Sequence, residues 1–292
     1  MTGSQDQLVV GVDGSGAAAA ALDWAVAEAR ARRCGLRAVY AYGDFTEGLA
    51  MVYGRLPEPD RAEVVAASQQ LLDAALSRVA ELDATLPVTG AIIEKAPPRA
   101  LLDEAAHAGL LVIGSRGLKA FGAAVLGSVG AAVAGRAACP VVVVRGAKVR
   151  RGKDAAVVVG VDATDATPAV LRFAFEHASR HALALRVVLC WRREPLTELA
   201  WRPASPPPQA ERWLAESLAG WREQYPEVAV RGEIVRDQAA AGLVGAAQDQ
   251  RLLVVGARGR HSLAGTLLGS VSQAVLHHAT CPVAVVPVSA RD

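Results

Sequence analysis

The chain has 292 residues, of which 52% are hydrophobic, 21% are charged and 4% are aromatic, and its formal net charge at pH 7 is +2. The high apolar content and small net charge exclude a disordered chain, and the lack of a basic excess argues against a nucleic-acid partner. No run approaches the roughly 18 apolar residues of a membrane span, and the polar start lacks a signal-peptide pattern. We therefore expect a cytoplasmic protein of about two domains, with no membrane partner.

Four sequence blocks occur twice, in the same order, which indicates a duplicated domain. The blocks at 8–13, 36–42, 111–117 and 139–144 recur at 157–162, 185–191, 253–259 and 281–286. A repeat of this length is too long for a solenoid, so each copy should have its own core. We predict a first domain at 1–147, a basic linker at 148–153 and a second domain at 154–292.

Within the first copy, short apolar runs alternate with longer helical patterns. In chain order, we predict a strand at 8–13, a helix at 17–32, a strand at 36–42, a helix at 61–83, a strand at 88–94, a helix at 99–108, a strand at 110–114, a helix at 128–136 and a strand at 141–145. The second copy repeats this order between residues 155 and 288. Continuous apolar strands that alternate with helices predict an α/β fold with a five-stranded parallel sheet in each copy.

In an open parallel sheet, ligands bind beyond the carboxyl ends of the strands. Two strand ends in each copy are candidates for such a site. The first strand ends in glycine and aspartate, at Gly11 and Asp13 in the first copy and at Gly160 and Asp162 in the second. The fourth strand is followed in both copies by a stretch with the spacing G-x2-G-x9-G-S.

The residue types of this glycine-rich stretch suit an anionic ligand. Glycine lets the backbone approach a ligand closely and permits the positive φ that points successive N–H groups at an anion. The serine that ends the motif, Ser128 or Ser270, falls at a helix start as an N-cap or first-turn residue, where free N–H groups favour phosphate. Because the spacing occurs twice, we interpret the stretch as a polyphosphate-binding loop.

This spacing, together with the Asp13-Gly14-Ser15 opening of the domain, resembles the universal stress protein family, in particular its tandem, ATP-binding type. The resemblance covers residues 5–147 and 154–289. It implies two Rossmann-like domains with strand order 3-2-1-4-5 and one ATP, with Mg²⁺, between the first and fourth strand ends of each. It also implies a nucleotide-linked regulator of the stress response. The apolar final strands, 141–144 and 283–286, would pair with each other, and the chain could form a homodimer.

The resemblance implies roles for individual residues. Asp13 would contact the ribose or a phosphate-bound metal, and the backbone around Val39 would meet the adenine. The ribose and phosphates would be held by Gly114, Ser115, Arg116, Gly117, Gly127, Ser128 and Val129. The second copy offers Gly160, Asp162, Val188, Gly256, Ala257, Arg258, Gly259, Gly269, Ser270 and Val271. Gly14-Ser15 becomes Ala163-Thr164 and Ser115 becomes Ala257, changes that remove no motif glycine, so we expect both sites to bind.

Other function classes have weaker support in the sequence. The Walker A motif and a G-x-G-x-x-G after the first strand are missing, which disfavours a P-loop ATPase and an ordinary NAD dehydrogenase. No Ser/His/Asp, Cys/His or paired-carboxylate arrangement repeats in both copies, so we expect no catalytic residues and at most slow ATP turnover. Two alternatives stay open: an adenine-nucleotide-using ligase or hydrolase, and a scaffold with degenerate sites.

A few further residues could carry chemistry. Lys119 and His261 either lean toward the phosphates or face solvent. We interpret His277 and His278 as last-turn helix residues rather than metal ligands, and we expect no protein-held metal. Cys139 and Cys281 should be buried packing residues. The tryptophans around the proline-rich segment of the second copy favour packing over a partner surface: Trp191, Trp201, Trp213 and Trp221.

Overall fold

The computed structural model describes residues 7–43, 61–117, 126–145, 155–162, 164, 167–191, 208–258 and 268–287. The chain divides into two compact domains, Met1–Gly146 and Ala147–Asp292. The segment that we predict to be a linker, 148–153, lies outside the described residues, as do Lys119, Trp201, Gly259 and His261.

The first domain alternates strands and helices along the chain. Its elements are β1 (Leu8–Gly11), α1 (Gly16–Arg32), β2 (Leu36–Tyr42), α2 (Arg61–Leu82), β3 (Val88–Glu94), α3 (Pro97–Ala105), β4 (Leu110–Gly114), α4 (Ser128–Ala134) and β5 (Val141–Val144). Neighbouring strands are parallel, in the order β3-β2-β1-β4-β5. This result confirms the predicted fold class and strand order.

The second domain has the same architecture. Its elements are β6 (Val157–Val161), α5 (Thr167–Arg180), β7 (Leu185–Trp191), α6 (Pro208–Gln224), β8 (Val230–Arg236), α7 (Ala239–Ala246), β9 (Leu252–Gly256), α8 (Ser270–His278) and β10 (Val283–Val286). Its strands run parallel in the order β8-β7-β6-β9-β10. The duplication seen in the sequence is therefore a duplication of a complete sheet.

The core of each domain is its sheet, covered by helices on both faces. The strands β4 and β9 are buried apart from their last residue, which explains why their sequences are continuous apolar runs. Right-handed crossovers that run in the same direction across the sheet place their helices on the same face. In the first domain α1 packs on α2, and α3 packs on α4. The helices do not cover the carboxyl edge of each sheet, and the loops that follow the strands lie there.

Several element boundaries in the first domain differ from those predicted, by one to three residues. The strand β1 ends at Gly11, and the chain turns at Asp13, whose Oδ1 accepts a hydrogen bond from the Ser15 N–H. The helix expected at 99–108 is α3, which begins at Pro97 and ends at Ala105. Proline fits a first helical turn because the N–H that it lacks has no partner there.

Several single-residue expectations are confirmed. His277 and His278 lie in the last turn of α8. Cys139 and Cys281 are buried, and burial raises the pKa of the Cys139 thiol to about 11. Trp221 stacks on the buried Phe175, with ring centroids 5.5 Å apart, as a packing role requires. Among the described residues, no helix combines the length and apolarity needed to span a membrane.

Candidate functional site

The candidate site in the first domain lies where β1 and β4, neighbours in the sheet, both end. Beyond β1, the Val12 N–H still donates to the carbonyl of Val39 on β2, at 2.9 Å. Beyond β4, the Ser115 N–H donates to the carbonyl of Val144 on β5, also at 2.9 Å. The chain leaves the sheet after each of these bonds, so two short loops, 13–15 and 115–117, face each other at the carboxyl edge.

The first loop is a tight turn held by its own side chains. The Asp13 Oδ1 accepts the Ser15 N–H at 2.9 Å, and Gly14 has φ +79°, in the left-handed region that favours glycine. The Ser15 hydroxyl then accepts the Ala18 N–H at 3.1 Å and caps α1. The sequence Asp-Gly-Ser therefore fixes both the turn and the start of the helix.

The two loops contact each other directly. The Ser15 hydroxyl donates to the carbonyl of Arg116, at 3.3 Å. A Cβ atom added at Gly117 would lie 2.6 Å from the Asp13 Oδ2, and one added at Gly114 would lie 2.7 Å from the backbone carbonyl carbon of Ala17. A side chain at Gly114 would therefore force the start of α1 away from the end of β4, whereas one at Gly117 would force the Asp13 carboxylate to turn aside.

The third glycine of the motif begins the last helix of each domain. The Gly127 N–H donates to the carbonyl of Ser115 at 2.9 Å, and the Gly269 N–H donates to the carbonyl of Ala257 at 2.8 Å. Both glycines are N-caps in extended conformation, and Ser128 is the first residue of its helix. Of the two positions predicted for Ser128 and Ser270, the structure therefore shows the first-turn one.

The second domain has loops at the same strand ends, and its described residues make different side-chain bonds. The Thr164 hydroxyl donates to the Asp162 Oδ1 at 2.6 Å, and α5 begins later, at Thr167. The Ser272 hydroxyl on α8 donates to the carbonyl of Gly256 at 2.5 Å, whereas Gly130 takes the matching place on α4. The two candidate sites therefore occupy the same strand ends and differ in their internal hydrogen bonds.

Besides Gly114 and Gly256, which end β4 and β9, four of the predicted residues lie within the sheets. Val39 and Val188 are 1% and 0% exposed, and the Val39 carbonyl already accepts the Val12 N–H. A Cβ at Gly11 would meet Leu101 of α3 at 3.2 Å, and the same packing against Leu243 surrounds Gly160. A ligand that reaches β2 would therefore meet its half-buried last residues, Ala41 and Tyr42, before it met Val39.

The remaining predicted residues that the structure describes lie along the loop edge. Arg116, Val129 and Val271 are half-buried, Arg258 is exposed, and Ala257 is buried like Ser115. Sequence reasoning missed Ser15 as a residue that joins the two loops. Its place two residues after Asp13 and before an Ala-rich helix signals an N-cap, but the bond to Arg116 depends on tertiary contact.

Comparison with known proteins shows the family of this chain. A model of the universal stress protein family matches it twice, at residues 6–145 and 155–287. The chain is 36% identical to universal stress protein Rv2005c of Mycobacterium tuberculosis over 289 residues, which cover 96% of this chain and 97% of that protein. Universal stress protein Rv2623 of the same organism is also 36% identical, over 95% of both chains.

A solved structure shows the same fold over the same length. A universal stress protein of Archaeoglobus fulgidus superposes with a TM-score of 0.70, at 16% identity, over 97% of this chain and 98% of that one. The family model and the mycobacterial relatives extend over both domains, and the chain is therefore a member of the universal stress protein family with two of the family's domains in tandem.

Proposed function

We propose that this protein binds one ATP in each domain and acts as a nucleotide-linked regulator in the stress response, without catalysing a reaction of its own. The observation that carries the proposal is the contact of the loop ending β1 with the loop ending β4. At their meeting point, a Cβ atom at Gly117 would lie 2.6 Å from the Asp13 Oδ2, so a side chain there would displace that carboxylate. Glycine backbone held close to a carboxylate at the carboxyl edge of a parallel sheet suits a nucleotide.

The residues at this edge suit different parts of the ligand. The Asp13 carboxylate would repel a bare phosphate, so it fits ribose hydroxyls or a phosphate-bound Mg²⁺. The N–H groups of Ser115 and Gly127 are used within the fold, so the phosphates would be held by the backbone at Gly117 and by the helix start at 128–129. The adenine would lie beyond Val39, against the end of β2, since the Val39 carbonyl is used within the sheet.

A regulatory role would come from coupling between ATP binding and the conformation or partner binding of the protein, and not from a reaction at the site. ATP can change what this protein does only if two of its conformations, or its free and partner-bound forms, differ in affinity for ATP. Occupancy then reports the nucleotide level to the partner.

Equilibrium binding on the full chain tests this function. We expect two ATP per chain for the wild type, one for Gly117→Glu or Gly259→Glu, and none for the double variant. The new carboxylate at either glycine would be repelled by phosphate, and at Gly117 it would also crowd the Asp13 carboxylate. Isothermal titration with Mg-ATP gives the stoichiometry, and circular dichroism checks that each variant is folded.

Gly16→Ala is the matched control, because a Cβ there would have no atom within 4 Å. It should bind as the wild type does. Full ATP binding by the double variant would refute the site, and a wild-type protein that binds no ATP would favour the scaffold alternative. Rapid release of phosphate or pyrophosphate would instead indicate an enzyme.

A further inference from the structure

We propose that the two nucleotide sites are unequal. The first domain holds a preassembled, tighter site, and Ser15 is the positioning residue that assembles it. The inference rests on the proposed function, because it concerns the relative affinity of the same two sites. The two domains have the same fold but differ in the turn that follows their first strand, which is Gly14-Ser15 in the first domain and Ala163-Thr164 in the second.

In the first domain, one hydroxyl joins three pieces of backbone. The Ser15 Oγ accepts the Ala18 N–H at the start of α1 and donates its single hydrogen to the carbonyl of Arg116. The Ser15 N–H is bound at the same time by the Asp13 carboxylate. The walls of the site, the loop after β1 and the loop after β4, are therefore bonded together before any ligand arrives.

In the second domain, the corresponding hydroxyl is used differently. Thr164 donates its only hydroxyl hydrogen to the Asp162 Oδ1, within its own loop. That hydrogen is then unavailable to the loop after β9. The Thr164 hydroxyl therefore bonds within the loop after β6, whereas the Ser15 hydroxyl bonds the loop after β1 to the loop after β4.

The neighbouring residue explains why the two loops differ. Gly14 has φ +79°, and the second copy has Ala163 at the matching position. An L residue with a side chain rarely adopts that conformation, so the turn of the first domain is unfavourable for the sequence of the second. The pair Gly14-Ser15 therefore determines the turn that directs the hydroxyl toward Arg116.

A bond made in the second domain alone does not replace this connection. The Ser272 hydroxyl on α8 donates to the carbonyl of Gly256, which fastens the helix to the end of β9. Both partners belong to the same wall, the one formed by β9 and the segment after it. The bond therefore fastens that wall and does not connect it to the loop after β6.

A preassembled site binds more tightly because ligand binding does not have to pay the entropy cost of ordering its loops. We expect the first site to bind Mg-ATP about three to ten times more tightly than the second. This factor corresponds to the net contribution of one hydrogen bond, here the bond between the walls. The loop sequences 14–15 and 163–164 should carry that difference with them when exchanged.

The test uses full chains in which one site is disabled. Gly259→Glu leaves the first site, and Gly117→Glu leaves the second, and isothermal titration with Mg-ATP measures each dissociation constant. The exchange Gly14→Ala with Ser15→Thr should weaken the first site. The reciprocal exchange Ala163→Gly with Thr164→Ser should tighten the second. A gain of affinity cannot come from mere damage to the fold, so the reciprocal exchange separates positioning from stability.

The outcomes separate this inference from the proposed function. Tighter binding at the first site, transferred by the exchange, supports the inference. Equal affinities, a reversed order, or a reciprocal exchange without effect would overturn it while leaving ATP binding intact. Failure of every protein, wild type included, to bind ATP would overturn the proposed function and this inference together.

Discussion

Gly114 and Gly117 stand at the end of one strand for two different reasons. Gly114 faces the backbone of Ala17, at the start of α1, while Gly117 faces the end of the Asp13 side chain. A backbone neighbour cannot move aside without shifting the helix, whereas a carboxylate can rotate away. The two glycines should therefore differ in how much stability their replacement costs.

We expect Gly114→Ala to lower the free energy of unfolding by about 1–3 kcal/mol, because the added Cβ would overlap the backbone of Ala17. Gly117→Ala should cost less, since the Asp13 side chain can turn. Urea denaturation of both variants beside Gly16→Ala measures the order. An equal loss for Gly114→Ala and Gly16→Ala would show that α1 does not approach β4 as described.

Sequence reasoning reached the glycine spacing but not the bonds between the loops. The spacing is a local pattern that repeats, so it is visible in one sequence. The bond from Ser15 to Arg116 joins residues far apart in the chain, and the conformation of Gly14 is set by the turn itself. The packing of Gly11 against Leu101 likewise joins residues far apart in the chain, which a local sequence pattern does not reveal.

At the scale of elements, the strands were predictable and the helix ends less so. The bounds of β2, β3 and β4 agree with prediction because each is an apolar run between turn residues. The start of α3 at Pro97 and the end of β1 at Gly11 depend on capping and on side-chain turns, which a periodicity argument does not detect.

The element scale also shows how the copies diverged at a matched arginine. Arg37 on β2 forms a two-bond ion pair with Glu104 of α3, at 2.7 and 3.0 Å. Arg186 on β7 pairs with Glu233 of β8 instead and donates to the carbonyl of Ala246 on α7. The acidic partner has moved from a helix to a neighbouring strand, yet the arginine links its strand to the same helix position in both domains.

The ion pair of Arg186 gives a pH dependence with a defined sign. Hydrogen bonding from Arg186 holds the pKa of Glu233 below its usual value, against the opposing effect of burial. Its stabilising contribution is therefore present above the unfolded-state value of about 4.3 and is lost as the pH falls through the folded-state pKa.

Glu233→Gln should lower the free energy of unfolding by about 1 kcal/mol at pH 7. The difference between variant and wild type should shrink below about pH 4, where the wild-type carboxyl takes up its proton. Urea denaturation over a pH series measures this difference. A gap that stays constant from pH 7 down to pH 3 would mean that Glu233 contributes nothing through its charge.

At the scale of the whole molecule, the protein is two complete α/β domains on one chain. Each has its own five-stranded sheet with buried central strands, and each has one edge where the proposed ligand would bind. Duplication of the sequence therefore predicts duplication of the site. It does not predict equality, because side chains such as Ser15 and Thr164 differ between copies that share a fold.

Binding to one site should protect the domain that holds it. In the Gly259→Glu protein, Mg-ATP should slow amide exchange in segments 7–43 and 110–117, because a ligand that binds the native state suppresses local opening. In the Gly117→Glu protein the slowed segments should be 155–162 and 252–258. Hydrogen exchange read by mass spectrometry gives both patterns. The same pattern in the two proteins would mean that ATP binds somewhere other than the two candidate sites.

The hydrogen bond at the base of the glycine-rich stretch has a consequence for how such chains evolve. In each domain the N–H of the third glycine closes on the carbonyl that follows the first, at Ser115 and at Ala257. Because both ends are fastened, we expect this bond to constrain the number of the nine intervening positions more than their composition, apart from the buried Leu126. The two copies agree with this, since Gly117 and Gly259 are followed by segments of equal length that share few residues. A library that randomises those positions at fixed length should therefore retain far more folded members than one that adds or removes a single residue.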